Sequence, residues 1–115
     1  MLIPLQITFR GMESSEAVTA RITERAKRLE RYHDHITACR VVFEQANKHH
    51  HQGNHFHVRI DITVPGSEIV VNKEHAQDGS HEDPYVVIRD AFDAAARRLE
   101  DYIGTHETPQ RTRQV

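Results

Sequence analysis

The sequence predicts an α+β domain of order β-α-β-β-β-α, a four-stranded sheet with two helices packed on one face. Apolar and polar residues alternate in four segments, as in strands with one buried face. In two other segments apolar residues recur every three or four positions, as in amphipathic helices. The 115 residues are 37% hydrophobic and 28% charged, which is typical of one globular domain.

The first strand and the first helix are separated by Gly11. The strand is predicted by the alternation of Ile3, Leu5, Ile7 and Phe9 with other residues. Ser14 or Ser15 then offers a helix cap, and we expect the helix to run to about Arg31. Its apolar residues share a narrow arc that must face the sheet: Val18, Ile22, Ala26 and Leu29.

Three further strands are predicted, joined by polar segments. They span Thr37 to Glu44, His55 to Val64 and Glu68 to Lys73. The segment 45–54 is polar and contains three consecutive histidines, so we expect a loop there. Pro65-Gly66 predicts a turn.

The second helix is predicted to begin at Asp83-Pro84, where aspartate caps the helix and proline takes its first position. Its buried stripe is Ile88, Phe92, Ala95, Leu99 and Ile103. Gly104 is the expected terminator. Residues 105–115 are then expected to form a disordered tail behind a domain that spans 1–104.

Composition and charge exclude several classes of function. Lys and Arg number 15 and Asp and Glu 17, so any basic site must be local. The single cysteine, Cys39, alternates with core residues, which favours burial over nucleophilic catalysis. There is no Gly-rich phosphate loop, and we expect that the protein is not an enzyme. No signal-peptide pattern or stretch of about 20 apolar residues occurs, so we expect a cytoplasmic protein without a membrane partner.

A basic stripe runs along the first helix. Its members are spaced by four, three and four positions: Arg21, Arg25, Arg28 and Tyr32. Arginine suits phosphate oxygens and tyrosine can stack on a base, so the stripe indicates an RNA surface. The alternative is a solvated face whose arginines pair with Glu24 or Glu30. The second helix carries Arg89, Arg97 and Arg98 among five acids and is the weaker surface.

Histidine is unusually frequent, with ten residues in the chain. His55 and His57 are two apart on a predicted strand and share a face, and His51 could fold back over them. The three form a feasible zinc or nickel ligand set, although the spacing matches no defined metal motif. The alternative is a solvated or phosphate-contacting loop.

Three segments resemble the ribosome hibernation promoting factor family, also called ribosome-associated inhibitor A or sigma-54 modulation protein. They are Ala26–His33 (AKRLERYH), Val58–Pro65 (VRIDITVP) and His81–Leu99 (HEDPYVVIRDAFDAAARRL). The resemblance covers about residues 3 to 103. Its most specific part is the entry into the second helix through Glu-Asp-Pro-Tyr, followed by Ala-Arg-Arg-Leu.

The resemblance implies a fold similar to double-stranded RNA-binding domains and a stress or stationary-phase factor that catalyses no reaction. Such a factor binds 16S rRNA in the channel of the small ribosomal subunit and blocks the tRNA and mRNA sites. The implied contacts are Arg21, Arg25, Arg28 and Arg31 on the first helix and Arg89, Arg97 and Arg98 on the second. Arg40, Lys48 and Arg59 are implied as secondary contacts. No DNA partner is expected.

The chain resembles the short members of the family, in which a second hibernation factor is a further candidate partner. Its second helix is less lysine-rich than is usual, and its histidine loop is longer. Two other functions stay open. One is a histidine-rich metal-binding protein on the same scaffold. The other is a protein-interaction module that presents Arg40, Arg59 and Asp61 on the exposed sheet face to a transcription or signalling partner.

Overall fold

The computed structural model describes residues 3–46, 55–73 and 83–114, with the backbone alone at 46 and 104–114. Its strands and helices follow the predicted order, which confirms the α+β class. They are β1 (Leu5–Arg10), α1 (Glu16–Tyr32), β2 (Ala38–Ala46), β3 (His55–Val64), β4 (Ser67–Lys73) and α2 (Pro84–Gln114).

The sheet is mixed, with the strand order β1-β2-β3-β4. β1 and β2 are parallel and are connected through α1, whereas the β2–β3 and β3–β4 pairs are antiparallel. The register places apolar residues opposite one another in a row that crosses the whole sheet: Ile7, Val41, Ile60 and Val71. The adjacent row lies on the other face and is more polar: Thr8, Val42, Arg59 and Asn72.

Both helices pack on the apolar face of the sheet and build one core with it. α1 buries the four predicted residues, Val18, Ile22, Ala26 and Leu29. α2 buries Ile88, Phe92, Ala95 and Leu99 as predicted, together with Val87 and Ala91. Ile103 is only half-buried. The opposite face of the sheet, which we call the open face, is not covered by either helix.

The residues predicted to cap the N-termini of the helices do so in the structure. The Ser15 hydroxyl accepts a hydrogen bond from the Val18 amide at 3.2 Å, which caps α1. At α2 the Asp83 carboxylate accepts a hydrogen bond from the Tyr85 amide at 2.9 Å. Each bond satisfies a backbone amide that has no acceptor within its own helix.

Gly11 ends β1 with a φ of +73°, a left-handed conformation that favours glycine. A Cβ atom at this position would collide with the backbone carbonyl of Gln45 in β2. Glycine is therefore required here both by the backbone angle and by the close approach of the two chain segments.

The structure extends two elements beyond their predicted ends. β2 includes Gln45 and Ala46, because these residues pair with Phe56 and His55. α2 continues past Gly104 to Gln114, so the predicted helix end is wrong. Glycine within a helix costs only about 1 kcal/mol relative to alanine. Of the described glycines only Gly11 and Gly66 take a positive φ, so Gly104 forms no left-handed cap. The boundary between a domain 1–104 and a tail 105–115 stays a prediction.

Residues 47–54 and 74–82 lie outside the described part of the chain, and with them the predicted site residues Lys48 and His51. In the part that is described, neither helix is both long enough and apolar enough to cross a membrane.

Candidate nucleic-acid interface

The basic stripe of α1 lies beside α2. The guanidinium carbon of Arg21 is 4.5 Å from the centre of the Tyr85 ring, at the start of α2. Further along, Arg25, Arg28 and Tyr32 line a groove between the two helices. The structure therefore places all four predicted residues on one side of α1, as their spacing indicates.

Arg21 makes contacts within the protein, whereas Arg25 is partly buried. Arg21 lies 3.7 Å from a carboxylate oxygen of Glu24, so the predicted alternative of internal pairing holds at this position. It also stacks on Tyr85, a contact that links α1 to α2. The Nε atom of Arg25 is buried and has no hydrogen-bond acceptor among the described residues.

The outer surface of α1 carries three exposed cations, Lys27, Arg28 and Arg31. Within the described residues, none of the three makes a hydrogen bond or an ion pair. We call these residues the outer cation cluster. Lys27 is not among the residues predicted from the sequence, although its position on the side of α1 opposite the buried residues is a usable signal.

The three arginines of α2 have different surroundings. Arg89 pairs with the neighbouring Asp90 at 3.1 Å. Arg97 is exposed and has no partner in the described chain. Arg98 donates a hydrogen bond to the backbone carbonyl of Val70 in β4 at 2.8 Å. Only Arg97 is therefore as available to a ligand as the outer cation cluster.

Arg40 and Arg59 lie on the open face, where acidic residues hold them. Arg40 is 3.3 Å from both Asp61 and Glu68. Arg59 donates a hydrogen bond from Nε to Asp61 at 2.9 Å. This hydrogen bond and the charge of Asp61 raise the pKa of Arg59. The two arginines face away from the helices, so they do not form one surface with the outer cation cluster.

The open face also holds a groove of about 430 Å³, which was not predicted from the sequence. Arg10, Glu44, His57 and Asn72 line it together with the ion-paired arginines. His57 Nδ1 lies 3.4 Å from Glu44, and its Nε2 lies 3.2 Å from the side-chain oxygen of Asn72. The alternation within each strand indicates which residues share a face. Predicting which of them meet in the groove also requires the order of the strands in the sheet.

The metal hypothesis stays a prediction. Glu44 and His57 are neighbours on adjacent strands, but no group of three or more candidate ligands occurs among the residues that the structure describes. His51 lies outside them. His55 and His57 occupy β3 two positions apart, on the open face.

Cys39 is buried in the core, as predicted. Burial, aided by the charge of Asp61, raises the pKa of its thiol to about 12. A thiol held protonated at neutral pH is a poor nucleophile, which agrees with a packing role.

Known proteins are similar to this chain in sequence and in fold. Residues 5–106 match the family described as Sigma 54 modulation protein / S30EA ribosomal protein. Over 97 residues the chain is 30% identical to a ribosome hibernation promotion factor of Deinococcus radiodurans. This match covers 84% of the chain and 47% of the relative, so the chain spans about half of that relative's length.

Two solved structures are similar to the whole fold. One is a ribosomal subunit interface protein from Coxiella burnetii, with a TM-score of 0.70 and 21% identity over 87% of this chain and 97% of that one. The other is the Thermus thermophilus Protein Y N-terminal domain, with a TM-score of 0.64 and 26% identity over 89% and 99%.

The names of the family and of the Deinococcus relative describe ribosome-associated proteins and not enzymes, in agreement with the non-enzymatic function predicted from the sequence. The predicted resemblance also covers nearly the same residues as the family match. Because that match spans most of the 115 residues, the chain belongs to the Sigma 54 modulation protein / S30EA ribosomal protein family.

Proposed function

We propose that this chain binds the small ribosomal subunit through 16S rRNA and suppresses translation under stress or in stationary phase. It does so by occupying the tRNA and mRNA sites, and no reaction is catalysed. The observation that carries the proposal is the outer cation cluster, three exposed cations that form no ion pair in the described chain, although Glu24 lies near them. The names of the Deinococcus and Coxiella relatives support a ribosomal partner.

The outer cation cluster suits a phosphate backbone better than it suits the isolated protein. Lys27 and Arg31 are four positions apart on α1, where two like charges destabilise a helix by about 0.2–0.5 kcal/mol. Phosphate oxygens would remove this repulsion and accept hydrogen bonds from the forked guanidinium donors. The formal net charge of -2 does not oppose such binding, because screening limits distant charges more than adjacent ones.

The cytoplasmic location predicted from the sequence forms part of this proposal, since ribosomes supply the binding site. A second hibernation factor remains a further proposed partner. Arg97 is the best candidate on α2 to extend the contact, because Arg89 and Arg98 already have partners within the chain.

Co-sedimentation with small subunits and with whole ribosomes, at low and at moderate salt, tests the proposal. The variant Arg28→Gln/Arg31→Gln removes two charges from the outer cation cluster. Its matched control, Arg10→Gln/Arg40→Gln, removes two charges from the open face. Arg21 and Arg25 are poor choices for substitution, because their contacts with α2 and their burial also affect folding.

We expect salt-sensitive pelleting of the wild type, weaker pelleting of the α1 variant and near-normal pelleting of the control. Failure of the wild type to pellet at low salt would contradict ribosome binding. An equal loss in both variants would contradict the assignment of the contact to α1.

A metal-binding function is the second candidate, and the carboxylate of Glu44 beside His57 favours it. Zinc or nickel would be held by His51, His55 and His57, with Glu44 as a neighbouring acceptor. Calorimetric titration of zinc and nickel into the wild type and into His51→Asn/His55→Asn/His57→Asn tests this candidate. Stoichiometric binding that the triple variant loses would support it, and equal heats for both proteins would refute it.

A further inference from the structure

The groove between α1 and α2 contains a hydrogen-bond donor without an acceptor. The Nε atom of Arg25, a residue that lines this groove, is buried, and no described residue accepts a hydrogen bond from it. Buried donors are almost always satisfied in folded proteins, and an unsatisfied one costs about 1–3 kcal/mol. Because this atom has almost no exposed surface, the Arg25 side chain must turn into the groove before a ligand can accept a hydrogen bond from it.

The chemistry of the groove walls is that of a nucleotide site. Leu29 and Phe92 are buried and form the apolar floor of the groove. Tyr32 stands at the groove with 74% of its surface exposed, so its ring is available for stacking. Asp93 and Glu100 line the side contributed by α2 and offer carboxylate oxygens.

The groove has a volume of about 210 Å³. Arg28 lines this groove and also belongs to the outer cation cluster. A strand whose phosphates follow the cluster would therefore pass the mouth of the groove at Arg28. This continuity joins a surface suited to a phosphate backbone to the groove.

We propose that the groove binds one unstacked nucleotide of single-stranded RNA. The base stacks on Tyr32 over the apolar residues. The sugar-phosphate accepts hydrogen bonds from Arg25 and Arg28, and Asp93 or Glu100 accepts a hydrogen bond from the base. The inference rests on the proposed function for the choice of RNA as the ligand. Single-stranded bases stacked on aromatic side chains are a common mode of RNA recognition.

The carboxylates give the site a base preference. Cytosine has an exocyclic amino group that can donate a hydrogen bond to a carboxylate, whereas uracil has a carbonyl oxygen at the equivalent position. Asp93 and Glu100 would therefore favour cytosine over uracil. Adenine and guanine also carry amino groups, so uracil is the base that the site disfavours.

Fluorescence anisotropy with short labelled oligocytidylate and oligouridylate tests the proposal. We expect the wild type to bind oligocytidylate more tightly than oligouridylate, and more tightly than a duplex of the same length. Tyr32→Leu should weaken binding of oligocytidylate by about tenfold, whereas Tyr32→Phe, which keeps the ring, should retain it. Asp93→Asn/Glu100→Gln should reduce the difference between the two oligonucleotides.

Tyr32 is exposed, so neither of its variants should unfold the domain, and circular dichroism would verify this. Equal affinity for both oligonucleotides, equal binding by Tyr32→Leu, or no oligonucleotide binding by the wild type would each refute the nucleotide site. Ribosome pelleting separates the two proposals. Pelleting without oligonucleotide binding refutes the groove alone, whereas Tyr32-dependent oligonucleotide binding without pelleting refutes the ribosomal partner and supports the groove.

Discussion

Arg98 in α2 donates a hydrogen bond from Nη1 to the backbone carbonyl oxygen of Val70 in β4, over 2.8 Å. β4 is an edge strand, so this carbonyl belongs to a strand with a neighbour on one side only. One turn further along α2, the Tyr102 hydroxyl donates to the carbonyl of Pro65 at 3.1 Å. The two hydrogen bonds therefore attach α2 to β4 and to the turn that precedes it.

Arg98→Ala should lower the free energy of unfolding by about 1 kcal/mol, because the Val70 carbonyl loses its side-chain donor. Arg97→Ala is the matched control, since Arg97 is adjacent and exposed, and it should change stability by less than about 0.5 kcal/mol. Urea unfolding measures both variants. If the two variants unfold at the same urea concentration, the hydrogen bond to Val70 contributes nothing.

Gly11→Ala should be much more destabilising than Gly66→Ala. Both glycines have positive φ, so alanine strains the backbone at either position, by about 1–2 kcal/mol. At Gly11 the new methyl group would also collide with the carbonyl of Gln45, whereas at Gly66 it would meet open space. Thermal unfolding of the two variants tests this. Equal melting temperatures would show that β1 and β2 can separate at Gly11 without cost.

Cys39 should make stability depend on pH in the alkaline range. The thiol of the unfolded chain ionises near its ordinary pKa of 9.0, whereas the buried thiol stays protonated up to about pH 12. Between these values the unfolded chain binds fewer protons than the folded one, so stability falls as pH rises. The slope reaches at most about 1.4 kcal/mol per pH unit.

Urea unfolding of the wild type and of Cys39→Ala, below and above pH 9.0, isolates this contribution. The stability of the wild type should fall more steeply with pH than that of the variant. Parallel curves would mean that the thiolate is tolerated in the core.

Asp61→Asn should strengthen binding to polyanions, because Asp61 holds both Arg40 and Arg59. Removing this carboxylate leaves two arginines on the open face with fewer counter-charges, and elution from heparin should require more salt. Asp101→Asn is the matched control, because it makes the same change in net charge at an exposed position of α2. Elution of both variants at the same salt concentration would show that the pairs with Asp61 do not restrain these arginines.

Alternation along single strands carried most of the fold prediction. The bounds of β3 and the buried residues of α1 follow from local patterns, since each element has one face that must leave water. The end of α2 does not follow from them. Glycine is only a moderate helix breaker, so the continuation past Gly104 was not visible in a local pattern.

The site was predictable only to the level of single elements. The spacing of α1 placed Arg25, Arg28 and Tyr32 on one side of the helix, and the structure bears this out. The contacts of Arg40 with Asp61 and of Arg98 with Val70 depend on residues far away in the sequence. Predicting such contacts requires the strand order and the packing of α2, and the periodicity of one strand or helix gives neither.

Because of the ion pairs on the open face, the two sides of the molecule present unequal charge to a polyanion. Arg40 and Arg59 are compensated at short range by Asp61 and Glu68, so a distant polyanion experiences little of their charge. Lys27, Arg28 and Arg31 are not compensated in this way and act over the screening length of about 8 Å. Approach to an RNA surface would therefore rotate the helices toward the phosphates and the sheet toward solvent before any base is contacted.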